Sequence, residues 1–324
     1  MPTRQATVSN PARKQRLFIT GGTGFIGTAL CRSLLAQGHT LTLLARNPAK
    51  VAALFGPSVP SVARCADLPD DCVFDSIINL AGAPVVGPRW SAARKAALLE
   101  SRVGVTNALQ AWIARAQHKP RLLISGSAIG YYGVQDRHDK AALGEDAPPQ
   151  KIFMSTLCQE WEASASAAHA HGVAVALLRL GVVLGPLHGG QGALPQMVMP
   201  VRMGLNGRLG DGQQIVSWIH RDDVLAAIDF LLAQGAAAGV QSYNLTAPTP
   251  CTQSALIAAA ANAMGRRFAL PLAAPAGVLR LLMGAQAELL LEGQRVVPTR
   301  LLEAGFVFRH PTLDTALRAC IAGA

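Results

Sequence analysis

Along the first 180 residues the apolar positions switch between two periods, and the switches predict alternating strands and helices. Residues 16–20 form a short apolar run that ends in a glycine cluster, which predicts a buried strand. Residues 25–37 carry apolar positions at helical spacing, and Gly38 stands where a helix C-terminal glycine belongs. Residues 40–45 predict a second strand. A second helix follows, with Asn47 as its N-cap and Pro48 at its first position. Further strands are predicted over 73–80, 121–125 and 173–180, with helical stretches over 91–117 and 151–171 between them. This alternation predicts an α/β fold, a Rossmann doubly wound parallel sheet.

Beyond residue 185 the pattern changes. The stretch 185–212 is rich in glycine and proline and predicts a flap. Residues 216–219 predict a strand, and 222–232 a helix returning to the first domain. From 247 onward the chain reads as mostly helical. One short helix lies between Pro298 and Gly305, and a brief strand follows over 306–308. The expected organisation is a flexible basic tail over 1–14 and a Rossmann domain over 15–185 with a return segment near 215–235. The flap and a smaller, mostly helical C-terminal substrate domain occupy 186–214 and 236–324.

Composition narrows the class. The chain has 324 residues, of which 50% are hydrophobic and only 15% charged, as a well-buried α/β protein requires. No stretch reaches the ~18 uninterrupted apolar residues of a membrane helix. The nearest, 276–291, is broken by Arg280, Gln286 and Glu288. Residues 1–14 lack the apolar core of a secretory signal. Six cysteines show neither a C-x-x-C pair nor zinc spacing, so reduced thiols in a cytoplasmic protein and no metal site are expected. The net charge of +10 is uneven, because no Asp or Glu precedes Asp67. No nucleic-acid module accompanies the basic residues. A polyanionic cofactor accounts for them more simply, so a small-molecule substrate is expected, with no nucleic-acid or membrane partner.

The segment 20–27, TGGTGFIG, places Gly21, Gly24 and Gly27 between a predicted strand and a predicted helix. The first glycine permits a tight turn, the second admits a pyrophosphate, and the third lets helix and strand pack closely. Thr23, Phe25 and Ile26 belong to the same cradle. An NAD site wants an acid about 20 residues past the glycines. Arg46 stands there instead, suited to charge-assisted hydrogen bonds with a 2′-phosphate; a solvated surface arginine is the competing role. The cofactor expected is therefore NADP(H). Asp67 is placed near the adenine, Ala81 and Gly82 where the cofactor lies against the sheet, and Gly181 and Val183 beside the nicotinamide.

These segments resemble the extended short-chain dehydrogenase/reductase superfamily. More narrowly they resemble its atypical branch, the epimerase family or SulA-like NAD(P)-binding proteins. The resemblance rests on TGGTGFIG, INLAG at 78–82, SGSAIGYYG at 125–133, LRLGVVLGP at 178–186 and SWIHRDD at 217–223. It also rests on LLEGQRVVPTRLLEAGFVFRHP at 290–311, which resembles a C-terminal module particular to that branch. The resemblance implies a bound nicotinamide cofactor and a substrate cleft under the C-terminal part. Typical members use a Tyr-x-x-x-Lys pair, and here Met154 and Cys158 occupy the matching positions. The remaining catalytic candidates are Ser127, to polarise a substrate oxygen, and Tyr131 or Tyr132 as the acid. Cys158 reads as a small apolar filler, with a reactive thiol as the competing role. Asp222 is expected to cap the helix that follows it, and His220 to anchor the strand. The expected activity is an NADP(H)-dependent oxidoreductase or epimerase-like protein on a small carbonyl or sugar-like substrate. The alternative is a non-catalytic NADP(H)-binding sensor.

Overall fold

In the computed structural model, residues 14–136, 138–188, 191–234, 239–266 and 274–322 are described. The tail over 1–13, Gly189 and Gly190 of the flap, and parts of the expected C-terminal domain (236–238, 267–273) lie outside the described residues. The first elements are β1 (Arg16–Thr20), α1 (Phe25–Ala36), β2 (Thr40–Leu44), α2 (Pro48–Phe55), β3 (Ser61–Val62) and β4 (Ser76–Asn79). Then come α3 (Ala92–Leu99), α4 (Val105–Arg115), β5 (Leu122–Ala128), α5 (Phe153–Ser166), β6 (Ala174–Leu180) and β7 (Val182–Leu184). The flap carries α6 (Leu194–Met197) and α7 (Met199–Arg202), and β8 (Ile215–Val216), β9 (Trp218–His220), α8 (Arg221–Gln234) and β10 (Val240–Leu245) follow. The last elements are β11 (Cys251–Thr252), α9 (Gln253–Ala263), α10 (Ala276–Met283), α11 (Glu288–Leu291), α12 (Thr299–Glu303) and α13 (Leu313–Ala322).

Seven strands form one parallel sheet in the order β10-β6-β5-β4-β1-β2-β3. Successive residues of its strands point to opposite faces, and helices cover both, which is why these strands read as unbroken apolar runs. Leu17, Ile19, Ile78 and Ile124 meet Leu30 and Leu34 of α1 and Val224 and Ile228 of α8 on one face. Phe18, Ile77 and Leu123 meet Leu109, Trp112 and Ile113 of α4 on the other. The strand order reverses between β1 and β4, and such a switch point opens a crevice at the strand ends. A buried chain of hydrogen bonds pins that crevice. Thr20 Oγ1 donates to Asn79 Oδ1 (2.6 Å), and Asn79 Nδ2 donates to Thr106 Oγ1 (2.9 Å) and Ser125 Oγ (3.2 Å).

The structure differs from the sequence expectation at several points. β10 belongs to the main sheet, so the Rossmann unit takes a strand from the region assigned to the substrate side. The helix expected over 91–117 carries a π-turn at Glu100–Gly104 between α3 and α4. The helix expected over 151–171 ends at Ser166 and continues as a 3-10 turn. No strand forms over 306–308. Phe306 and Phe308 are buried and Val307 is 82% exposed, an alternation that imitates a strand. Here it comes from a single segment laid on α8, with the Phe306 ring 5.4 Å from Phe230 and 4.8 Å from Phe308.

The same segment is fastened by Asp223, whose fully buried carboxylate accepts from the backbone N–H of Arg309 (2.6 Å) and of His310 (3.1 Å). His220 is buried in β9 as expected of a strand anchor, but the side-chain cap expected from Asp222 comes from His220 instead. The His220 ring accepts, through Nδ1, the backbone N–H of Asp222 (3.2 Å), and it stacks on His310 with centroids 4.1 Å apart.

Burial holds the pKa of His220 down to about 4 from an ordinary 6.5; Asp222 opposes the shift, while His310 and Arg221 add to it. The unfolded chain therefore takes up this proton first. Its contribution to stability is complete above pH 6.5 and drains away as the pH falls toward 4. His220→Asn keeps an acceptor near the Nδ1 position without titrating. Urea midpoints taken in steps across that window will fall less steeply for the variant than for the wild type. Parallel slopes would show that another group governs the acid limb.

Candidate active site at the strand switch point

The glycine loop lies where β1 meets α1, and its three glycines answer different demands. Gly21 has φ +71°, and a Cβ there would sit 2.5 Å from the carbonyl oxygen of Leu80. A Cβ on Gly27 would collide with the Gly21 carbonyl. Both collisions are with backbone, so the approach of α1 to β1 and β4 requires bare Cα atoms. Gly24 is different. Its only neighbour within reach is the Gly21 oxygen at 3.2 Å, and the space beyond is open. Gly24 is also the N-cap of α1, which has no side-chain cap and no acid in its first turn. An uncapped helix start beside open space suits an anion. The residues present thus fit a dinucleotide pyrophosphate.

The other expected cofactor residues are distributed as follows. Arg46 is exposed just past β2 and forms no ion pair among the described residues. Lys50, on α2, reaches the Thr23 carbonyl (3.4 Å), so two cations flank the loop. The Phe25 ring faces the flap. Cβ atoms built on Gly185 and Gly192 would lie 2.6 and 2.8 Å from it, and the Arg221 guanidinium lies 5.6 Å from its centroid. Ile26 packs on the core. Asp67 is held by Arg64 (2.6 Å), which keeps its carboxyl below the usual range. The Ala81 N–H donates to Thr20 Oγ1 (3.1 Å), and Gly82 lies over the guanidinium of Arg102. Gly181 answers a packing need, since a Cβ there would meet the Ser217 carbonyl at 2.5 Å; Val183 is half-buried in β7.

The three catalytic candidates gather around one side chain that sequence reasoning did not single out. Arg179, on β6, donates from Nε and Nη2 to the two oxygens of Glu162 on α5 (2.8 and 2.9 Å). Its Nη1 donates to Tyr132 Oη (2.9 Å) and to the Glu145 carbonyl (2.9 Å). Ser127 donates to Glu162 Oε1 (2.6 Å), and Tyr132 donates to Asn244 Oδ1 (2.7 Å). Ser127 and Tyr132 are 1% and 2% exposed, so both hydroxyls are engaged inside the protein. Burial also raises the Tyr132 pKa, against the pull of Arg179. Tyr131 alone of the three is half-exposed, with the Arg179 guanidinium 3.5 Å from its ring centroid. The available signal for this network was an arginine inside the apolar run 174–184 and a glutamate on the buried face of α5.

Met154 and Cys158 face the interior beneath Gly130, and burial pushes the Cys158 thiol up to about 12, so it is an unreactive thiol. All six cysteines are free. Among the described residues one group, His220, Asp222 and His310, brings possible metal ligands within 4.8 Å of one another. His220 Nδ1 there already accepts the Asp222 N–H. No helix among the described residues is long and apolar enough to cross a membrane.

A parallel sheet with an open glycine cradle at its switch point defines a Rossmann-type dinucleotide-binding protein. Residues 17–246 match the model of the NAD dependent epimerase/dehydratase family, and the chain belongs to that family. Residues 274–320 match a domain of unknown function, DUF1731, in agreement with the C-terminal module read from the sequence. The chloroplastic SDR39U1 homolog of Arabidopsis thaliana, an epimerase family protein, is 36% identical over 307 residues, covering 93% of this chain and 85% of that protein. Epimerase family protein YfhF of Bacillus subtilis is 32% identical over 308 residues, covering 94% and 97%. The crystal structure of human SDR39U1 with NADPH superposes with a TM-score of 0.80 at 32% identity, covering 95% of this chain and all of that one. A nucleoside-diphosphate sugar epimerase from Corynebacterium glutamicum gives 0.71 at 26% identity, covering 94% and 58%.

Two predictions follow from these contacts. Gly27→Val will destabilise the fold, whereas Gly24→Val will leave the unfolding midpoint near wild type and abolish nicotinamide-dinucleotide binding, as read by calorimetry. Equal losses of stability would contradict the division of roles between the two glycines. Glu162→Gln leaves the Arg179 guanidinium buried without its counter-charge and will cost about 3 to 5 kcal/mol in urea unfolding. A loss under about 1 kcal/mol, the range of a surface pair, would show that the interior is wetter than its burial implies.

Proposed function

We propose that this protein binds NADP(H) and uses it, in the cytoplasm, as an oxidoreductase or epimerase-like enzyme on a small carbonyl or sugar-like substrate. The observation that carries this reading is the uncapped start of α1 at Gly24, flanked by Arg46 and Lys50 with no acid on either of the first two strands. Human SDR39U1, similar over the whole fold, was solved with NADPH, which supports the same choice here. In this reading Arg46 and Lys50 hold the 2′-phosphate, and the α1 amides hold the pyrophosphate. When bound, the nicotinamide supplies or accepts a hydride.

The chain's own residues handle the proton. Tyr131 is the assigned acid, because of the three candidates it alone is only partly buried, and the Arg179 guanidinium lies 3.5 Å from its ring centroid. Ser127 and Tyr132 act as positioning residues: both brace Arg179, one through Glu162 and one directly. Gly192, packed on Phe25, lets the flap close over the cradle. The second reading is a sensor that holds NADP(H) without turnover. The interior placement of Met154 and Cys158, where typical relatives carry tyrosine and lysine, favours it.

NADPH will bind at least about tenfold tighter than NADH, since a hydrogen bond to a charged group contributes about 1.5 to 3 kcal/mol. Arg46→Ala will remove most of that preference and leave NADH affinity nearly unchanged. Equal affinities in the wild type, or equal weakening of both cofactors in the variant, would sink the NADP(H) assignment. NADPH oxidation across a carbonyl panel separates enzyme from sensor. The Tyr131→Phe variant will lose at least about tenfold in kcat if Tyr131 is the acid, within the usual worth of a positioned proton donor.

A further inference from the structure

Arg102 is a buried cation without a counter-ion. It lies on the π-turn between α3 and α4 and is 9% exposed. Its Nη1 donates to the Leu98 carbonyl (3.3 Å) and to Ser101 Oγ (3.3 Å), and its Nη2 donates to the Ala83 carbonyl (2.9 Å). Its guanidinium lies 5.3 Å from the Trp161 ring centroid. These are neutral acceptors and a π-face. No carboxylate pairs with it among the described residues, and the charged or ionisable groups that bear on it are Cys158 and a second arginine, Arg94. Glu100, the nearest acid in sequence, is exposed and folds back over Gly104. Buried charges are ordinarily paired, because leaving one unpaired is costly.

Arg94 repeats the arrangement one carbonyl further along. Its Nη2 donates to the Pro84 carbonyl, and its Nε is buried without a partner. Arg102 and Arg94 thus hold successive carbonyls of the loop that leaves β4, and Arg94 adds to the cost of the Arg102 charge. Lys95 adds a third cation over the Phe153 ring (4.9 Å). Above Arg102 stands Gly82, where a Cβ would lie 3.1 Å from the guanidinium carbon. Gly82 is exposed at the crevice. The backbone of Gly82 therefore packs directly on the guanidinium, one residue beyond Ala81, whose N–H meets Thr20 beside the glycine loop.

The geometry points to an anion subsite here: Arg102, assisted by Arg94, receives a carboxylate or phosphate group of the substrate at its edge beside Gly82. The substrate class is thereby an acidic carbonyl compound or a phosphorylated sugar. This inference rests on reading the crevice as an NADP(H)-dependent site. One ambiguity of chemistry is real, since the same guanidinium could meet the cofactor's own pyrophosphate, and the experiment separates the two sources.

The full-length protein is titrated with NADPH by calorimetry, and the NADPH-loaded protein is then titrated with inorganic phosphate and with malonate. The same is done for Arg102→Gln, Arg102→Lys and Arg94→Gln, each checked for a native unfolding midpoint. Wild-type protein loaded with NADPH will bind at least one of the two anions. Arg102→Gln will weaken that binding at least about tenfold, the worth of one charge-assisted hydrogen bond. Arg94→Gln will weaken it less, and Arg102→Lys will recover part of it, while NADPH affinity stays within about twofold throughout. No anion binding by the loaded wild type, or equal anion affinity in Arg102→Gln, overturns the subsite. A tenfold loss of NADPH affinity in Arg102→Gln assigns the guanidinium to the cofactor and also overturns it. The wild-type NADPH titration alone decides the underlying cofactor reading, so the two failures are distinguishable.

Discussion

The Arg179 guanidinium, drawn from the middle of a buried strand, holds one side of the crevice in register. It gathers both oxygens of Glu162, the hydroxyl of Tyr132, the carbonyl of Glu145 and the ring face of Tyr131. Those partners belong to α5, to the turn after β5 and to the loop before α5. The network extends further through Glu145, whose Oε1 accepts the backbone N–H of Asn244 on β10 (2.9 Å) and of Arg300 on α12 (3.3 Å). A charge inside a protein loses its hydration, and only near-complete hydrogen bonding offsets that loss. Arg179 meets the condition with four hydrogen bonds and one ring face, so its partners have little freedom to move independently. The C-terminal module and the Rossmann sheet are thus fixed to the same centre.

At the other side of the crevice the constraint is one of space. Backbone meets backbone at Gly21 and Gly27, and the helix start is brought against the ends of β1 and β4. What remains open is the room above Gly24. The flap is tied to this arrangement through the Phe25 ring, since Gly185 and Gly192 both press on it. The contrast with the Arg179 centre is physical: the cradle is held by sterics, whereas the polar groups around Arg179 are held by hydrogen bonds that occupy them.

This contrast bears on the chemistry. Ser127 and Tyr132 look like catalytic residues in the sequence because hydroxyls at a strand end commonly are. In the fold their hydroxyls serve an ion pair, and the tyrosine left at the surface is its neighbour. The cations beside these side chains are arginines on β6 and on the π-turn, and α5 carries no lysine.

Local pattern and spacing determined a great deal by themselves. The strand–glycine–helix unit was legible from 16 to 38, as was Asn47 capping α2, where its side chain accepts from Lys50 (3.1 Å). So was the lack of an acid before Asp67, because each of these is a short-range or purely compositional fact. Tertiary structure decided the rest. It placed β10 in the main sheet, gave the alternating 306–308 segment to α8 instead of a strand, and turned Asp67 toward Arg64. It also paired Arg179 with Glu162 across 17 positions and left Arg102 without an acid among the described residues. A sequence records which residues carry charge. Which charges meet, and which are buried alone, depends on how distant segments pack, and the cost of desolvation is fixed only once they have done so.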